Sequence, residues 1–305
     1  MMGPVQIGLV AGDPADVVAE ARAAEEAGFD LLGCGEHLFF HGPVPNAFVT
    51  LAAAAGATER IGLLSAITLL PLYPAALAAK LAVTLDQVSH GRFALGVGAG
   101  GENPAEFTAA GIDVTTRFRR VDEGLRVIRA LFAGGPVSID GEFATLDEQA
   151  LDPPPFTPGG PPIWLGGRKD GALRRSARHA DVWMPYMVTP AMVRSGLDRI
   201  AELAAEQGRA PATGTLFVWA AVDPDGDRAR RVGVEKVSAM YAQDFSPLAD
   251  RYLLLGDPDT AVARLAEFAE AGVDRVLLAV AADGDDRRRV LDTLAGELLP
   301  RVHAL

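Results

Sequence analysis

TLDQVSHGRFALGVGAGG, residues 84–101, reads as the end of a helix, a tight turn, a buried strand and a glycine-rich loop. The helix begins at Pro74, a residue suited to the first helical position because it has no N–H to leave unpaired. Leu77, Leu81, Leu85 and Val88 then recur at helical spacing, and Ser89, His90 and Gly91 stop the helix. Arg92–Val97 is short and almost wholly apolar, the composition of an inner strand of a parallel sheet. Gly96, Gly98, Gly100 and Gly101 fall within six positions. Glycine lets backbone approach a ligand closely and accepts positive φ. A buried strand that ends in such a loop is where an α/β protein usually binds something.

Outward from this unit, strands and helices alternate. Strands are expected at Val5–Val10, Asp30–Gly35, Ile61–Ile67, Arg92–Val97, Pro162–Gly166, Asp181–Met184, Thr215–Val222 and Arg275–Val280. Helices are expected between them, including Asn46–Ala57, Thr116–Phe132, Asp170–His179, Pro190–Gln207 and Arg228–Ala242. GDPADVVAEARAAEEAGFD from Gly12 and GDPDTAVARLAEFAEAGVD from Gly256 form a faint repeat, with Asp13 to Gly28 and Asp257 to Gly272 equally spaced. Eight strands in repeated helix–strand units predict a (β/α)8 TIM barrel, with an open doubly wound sheet as the alternative. The barrel absorbs residues 1–305 as one domain. The rhythm breaks after the fourth helix, at about residues 134–162. There SIDGEFATL predicts a β-hairpin turned at Asp140-Gly141, and the prolines of Asp152–Pro162 predict a rigid arm laid on the surface.

Composition narrows the function. The chain has 305 residues, 49% of them hydrophobic, and 28 basic against 40 acidic residues, for a net charge of −12. That balance disfavours non-specific nucleic-acid binding, which rests on neutralising phosphates. The single cysteine, Cys34, rules out an internal disulfide and a multi-cysteine metal site, and reads as a small buried residue. No secretory signal or long apolar run is evident, so a soluble cytoplasmic protein is expected, with no membrane or nucleic-acid partner.

In a barrel the site lies at the C-terminal ends of the strands. Glu36, His37 and His41 follow strand 2, Glu102 follows strand 4, Gly166, Gly167 and Arg168 follow strand 5, and Tyr186 follows strand 6. His37 reads either as a general acid–base or as a loop histidine bonded to a neighbour. A metal pair of His37 and His41, and with it a metal-dependent hydrolase, is the remote alternative, and no metal ligand is assigned. Gly96, Gly98 and Gly101 satisfy G-x-G-x-x-G, a weak signal here because the strand is the fourth and no clean helix is expected after it. Gly166-Gly167-Arg168 at a helix start suits an anion, and the amides of Gly167 and Arg168 are the expected seat of a cofactor phosphate. Arg174, Arg175 and Arg178 read as a solvated face. Trp164, Trp183 and Trp219 read as barrel packing, although Trp183-Met-Pro-Tyr186 lies near the expected mouth.

Together these pieces resemble the bacterial luciferase-like family of flavin- and deazaflavin-dependent oxidoreductases. The resemblance covers nearly the whole chain. It rests on Gly35-Glu36-His37, the run Ile67–Pro74, TLDQVSHGRFALGVGAG, PAEFTAAGI, IWLGGR (Ile163–Arg168) and ADVWMP (Ala180–Pro185). The resemblance implies a barrel with an insertion, a reduced flavin or deazaflavin at the strand ends, and a homodimer with helices near the N-terminus at its interface. It implies His37 as the active-site histidine, Gly98, Ala99 and Gly100 along the cofactor's ribityl chain, and Gly166–Arg168 on the phosphate side. Ala99 stands where luciferases carry a phosphate-gripping arginine, so the chain is more similar to the branch that uses coenzyme F-420 (F420). In that branch an acid after the loop takes part in catalysis, and Glu102 is the nearest match. The expected reaction is hydride transfer between F420 and a small organic substrate. The alternative is a monooxygenase using reduced FMN and O₂. The family also implies a non-proline cis peptide within Ser65–Thr68, expected at Ala66–Ile67, behind the cofactor ring.

Overall fold

A computed structural model of the chain describes residues 5–304. Eight parallel strands close into a barrel: β1 (Gln6–Val10), β2 (Leu31–Cys34), β3 (Gly62–Ser65), β4 (Phe93–Gly98), β5 (Ile163–Gly166), β6 (Val182–Met184), β7 (Thr213–Val222) and β8 (Val273–Val280). They pair in that order, and β8 closes on β1 with Gln6 opposite Arg275 and Leu9 opposite Leu278. These are the eight strands expected. Helices cover the outside: α1 (Val17–Ala27), α2 (Ala47–Ala55), α3 (Ala75–Val88), α4 (Pro104–Ala109), α5 (Arg117–Phe132), α6 (Asp170–His179), α7 (Pro190–Ala205), α8 (Gly226–Tyr241), α9 (Pro258–Glu270) and α10 (Gly284–Thr293). The repeat has a structural counterpart. Asp13 caps Ala15 and Asp257 caps Thr260 through their carboxylates, and Gly28 and Gly272 end their helices at φ 92° and 103°.

Two layers of apolar side chains hold the barrel. Leu64, Ala94, Trp164, Val182, Met184 and Leu277 fill its interior, while a larger core lies between strands and helices. The base of β4 is pinned by Arg92, whose N–H donors are all used. Nε donates to Ser89 O at 2.9 Å, Nη1 to Thr58 Oγ1 and Ile61 O at 3.0 and 2.9 Å, and Nη2 to Ala55 O and Thr58 O at 3.0 Å each. One guanidinium thus joins the end of α3, the end of α2 and the start of β3.

The chain bulges just past the end of β3. Leu64 lies opposite Ala94 and Thr68 opposite Val97, so the chain here spends one residue more than β4 over the same rise. The Ala66–Ile67 peptide within it is cis, as the resemblance implied. Ser65 Oγ fills the gap, donating to Gly96 O and accepting from Gly96 N at 3.0 Å each. Thr68 takes no part in this bridge, and its buried hydroxyl has no hydrogen-bond partner. Only glycine fits opposite the bulge. A Cβ at Gly96 would sit 1.9 Å from Ser65 O, and one at Gly98 would sit 2.0 Å from Ile67 Cδ1.

The insertion is a hairpin of Val137–Asp140 and Thr145–Gln149, followed by the proline arm. Glu123 of α5 holds the turn, accepting from the amides of Glu142, Phe143 and Ala144 at 2.8–2.9 Å. The arm lies along α3: Gln87 donates to Pro154 O at 2.6 Å, and the buried Asp86 carboxylate accepts from Thr157 N and Oγ1 at 2.8 and 2.7 Å. Two elements differ from the sequence expectation. Helix α4 forms directly after the glycine loop, capped by Asn103 Oδ1 on Ala105 N at 3.1 Å with Pro104 at its first position. A short strand, Leu254–Gly256, pairs with the end of β7 outside the barrel ring.

Candidate active site

A cleft of about 980 Å³ opens at the C-terminal ends of the strands, within the size range of a cofactor site. Its floor is small residues around one large apolar side chain: Ala66 and Ile67 of the bulge, then Gly98, Ala99 and Gly100. Gly166 and Gly167 continue it at the end of β5. Such a floor, where a Cβ at Gly98 has no room and Gly167 sits at φ 98°, fits a flat, elongated group such as a flavin or deazaflavin lying against it. Of the residues expected to bind the cofactor, Ala66, Ile67, Gly98, Ala99, Gly100, Gly166 and Gly167 line the cleft, and Arg168 does not.

The end of β2 supplies the polar wall. Glu36 is buried, and its carboxylate accepts from Asn46 Nδ2 at 3.0 Å, Tyr73 OH at 2.9 Å, Ala47 N at 3.3 Å and Leu69 N at 3.2 Å. Burial pushes its carboxyl upward against these bonds. Glu36 therefore ties β2 to the start of α2 and to the chain just past the bulge. His37 follows and lines the cleft. Its ring stacks on Phe40, with centroids 4.1 Å apart and planes 20° apart. Its Nδ1 lies 3.1 Å from both carboxylate oxygens of Glu106, which is fully buried. Glu106 Oε1 also accepts from the amides of Leu38 and Phe39 at 2.6 and 3.1 Å. With Nδ1–H given to Glu106, the ring keeps Nε2 as its second functional nitrogen.

Glu106 is the residue that sequence reasoning missed. Glu102, the acid to which the resemblance points, does line the cleft, but its partner is the Tyr186 hydroxyl at 3.3 Å, not His37. The physical reason is α4. The chain leaves the loop at Glu102, is capped at Asn103, and turns Glu106 inward beneath the 37–39 loop. The available signal was Asn103-Pro104, an N-cap followed by a proline suited to the first turn.

At the other end, the guanidinium of Arg168 is exposed and donates to the carbonyls of Tyr186 and Met187 at 3.1 and 2.9 Å. It does not line the cleft. Arg175 does, one turn into α6, where it grips Asp122 with Nε and Nη2 at 2.7 and 3.2 Å and is 11% exposed. Arg175 is thus not part of a solvated face. Trp164 and Trp183 are buried core, whereas Trp219 lines the cleft and donates to Tyr241 OH at 3.2 Å. Cys34 is buried, and burial pushes its thiol up to about 12, leaving no reactive thiolate. Among the described residues, no group of three or more His, Cys, Asp or Glu is placed to hold a metal ion, and no helix is long and apolar enough to cross a membrane.

Residues 3–275 match the family of luciferase-like monooxygenases. The chain belongs to that family. This luciferase-like protein is 28% identical to the F420-dependent glucose-6-phosphate dehydrogenase of Nocardia farcinica (strain IFM 10152), over 100% of both chains. It is 30% identical to the protein of the same name from Beutenbergia cavernae, over 95% of this chain and 94% of the relative. Among solved structures it superposes on an F420-dependent secondary alcohol dehydrogenase in complex with an F420–acetone adduct, with a TM-score of 0.85 at 23% identity, covering 98% and 99% of the two chains. A monooxygenase from Streptomyces bottropensis gives 0.84 at 24% identity, covering 97% and 99%. At these identities the structures speak to the barrel and its insertion.

Proposed function

We propose that this protein is an F420-dependent oxidoreductase that moves hydride between the cofactor and a small alcohol or carbonyl substrate. The observation that carries the reading is the His37–Glu106 pair, bonded at 3.1 Å and facing the floor formed by the bulge and the glycine loop. When bound, F420 supplies the two-electron exchange. The chain's own residues do the rest. Gly98, Ala99 and Gly100 would support the cofactor, Ala66 and Ile67 would back its ring, and Gly166 and Gly167, with the Arg168 amide beyond them, would receive its phosphate side. His37 Nε2 takes the hydroxyl proton as an alcohol is oxidised and returns it in the reverse direction. Glu106 holds the ring and balances the charge it gains. Glu102 sits at the rim with Tyr186 and acts on the substrate side.

The relatives named as F420-dependent support this reading over FMN and O₂, as does Ala99, which offers no cation to an FMN phosphate. Titration of the cofactor-free protein with F420 and with FMN, followed by fluorescence, tests it. F420 is expected to bind more tightly and to be reduced by a secondary alcohol. Binding of FMN alone, with O₂ consumed, would replace it with the monooxygenase reading. The protein is further proposed to be a one-domain cytoplasmic homodimer. Val49 on α2 and Leu77 on α3, 74% and 48% exposed, support an interface on this side, and light scattering on the purified protein checks it.

A further inference from the structure

The cleft extends past His37 to the ends of β1, β7 and β8, where its character changes. Asp13, Asp16, Glu20 and Asp283 line this end, against Lys236 and Arg287 as its only cations among the described residues. Neither cation is free. Lys236 Nζ is held by both oxygens of Asp283 at 2.7 and 2.8 Å. Arg287 pairs with Glu20, whose other oxygen accepts the amide of Gly12 at 2.6 Å. Two carboxylates, Asp13 and Asp16, remain beyond the pairs. A phosphate or carboxylate entering here would meet excess negative charge and no unpaired donor cation.

The cleft wall beside this end is aromatic. Phe217 and Trp219 of β7 meet edge to face at 6.5 Å, and Trp219 meets Tyr241 in the same way at 6.4 Å. Tyr186 stacks on Tyr241 at 6.4 Å and 21°. All four line the cleft. Such rings offer apolar faces to a flat substrate body.

We infer that the substrate subsite selects an uncharged, ring-bearing alcohol or ketone and rejects anionic substrates, sugar phosphates included. The inference rests on the oxidoreductase reading above for the alcohol–ketone class, and on the chain's own charges and rings for the rest. It separates this protein from the relatives whose name specifies glucose 6-phosphate. The selecting residue is Asp283, which neutralises the one lysine at this end. Its side chain is 74% exposed and makes no helix-capping bond, so removing its charge costs only the exposed pair with Lys236, which contributes little to stability.

The test is calorimetric binding of a matched pair, acetophenone and 4-acetylbenzoate, to the full-length protein with F420 present and with it absent. The two ligands share ring and ketone and differ by one carboxylate. Wild type is expected to bind acetophenone about tenfold more tightly, a gap that narrows as salt is raised. Asp283→Asn frees Lys236 and is expected to close the gap several-fold by improving 4-acetylbenzoate alone. Equal or tighter binding of 4-acetylbenzoate by wild type would overturn the inference, as would failure of both ligands to bind, or an unchanged ratio in the variant. Because binding is read without turnover, these outcomes stand apart from the F420 titration, whose failure strikes the oxidoreductase reading instead.

Discussion

At the scale of the residue, the chemistry rests on one imidazole. His37→Ala removes the proton acceptor while leaving the glycine floor untouched. Turnover is expected to fall by roughly 10²–10⁴-fold, with F420 affinity changed little in a fluorescence titration. Unchanged turnover would remove His37 from the mechanism. Glu106 acts through His37 and is a positioning residue. Glu106→Gln keeps the size of the side chain but not the anion that faces Nδ1. Its kcat is expected to drop by about tenfold, less than in His37→Ala, with KM and F420 affinity near wild type. A rise in KM alone would show that Glu106 only shapes the 37–39 loop. His37 was legible in the sequence because it follows a strand end. Glu106 was not, because nothing local marks a contact made across 69 positions of chain.

At the scale of the element, the stretch that decides the fold also carries its strongest clamp. Arg92 immediately precedes β4 and holds α2, α3 and β3 together through five bonds. Lysine has three donors and no planar fork. Arg92→Lys therefore leaves at least two of the five acceptors, which are four carbonyls and the Thr58 hydroxyl, short of a donor, at a cost of roughly 2–4 kcal/mol. Urea unfolding should show that loss, while activity at low temperature persists because the site lies at the opposite end of the barrel. A midpoint equal to wild type would mean that water replaces the guanidinium there. Helix α4 shows the converse. Six residues are too few to declare themselves by periodicity, and its capping residues were the only local sign.

At the scale of the whole molecule, one half-buried histidine makes a predictable contribution to acid sensitivity. His179 ends α6, and burial, joined by Arg209, Arg178 and Arg129 and opposed by Asp122, pushes its imidazole down to about 4. The unfolded chain takes up this proton near pH 6.5, whereas the folded chain resists it until about pH 4. This contribution to stability is therefore complete above pH 6.5 and is lost as pH falls from there toward 4, by roughly 2 kcal/mol once solvent screening of the half-buried ring is counted. Denaturant midpoints at pH 7 and pH 5 check this, and His179→Gln should flatten the difference. An equal slope in the variant would place the acid sensitivity elsewhere.

The sequence alone determined the eight strands, the helices that separate them, the hairpin and the proline arm. These depend on short-range physics: apolar period, the φ freedom of glycine, the missing N–H of proline, and capping by Asp13 and Asp257. The floor residues belong to the same class, since a glycine-rich loop after a buried strand is a local pattern. Tertiary structure alone decided which acid meets His37, that Arg175 rather than Arg168 reaches the cleft, and that Trp219 faces the site while Trp183 packs the core. Each of these turns on the direction a side chain takes after a loop. That direction is set by neighbours many residues away, through burial and hydrogen bonding that no window of sequence contains.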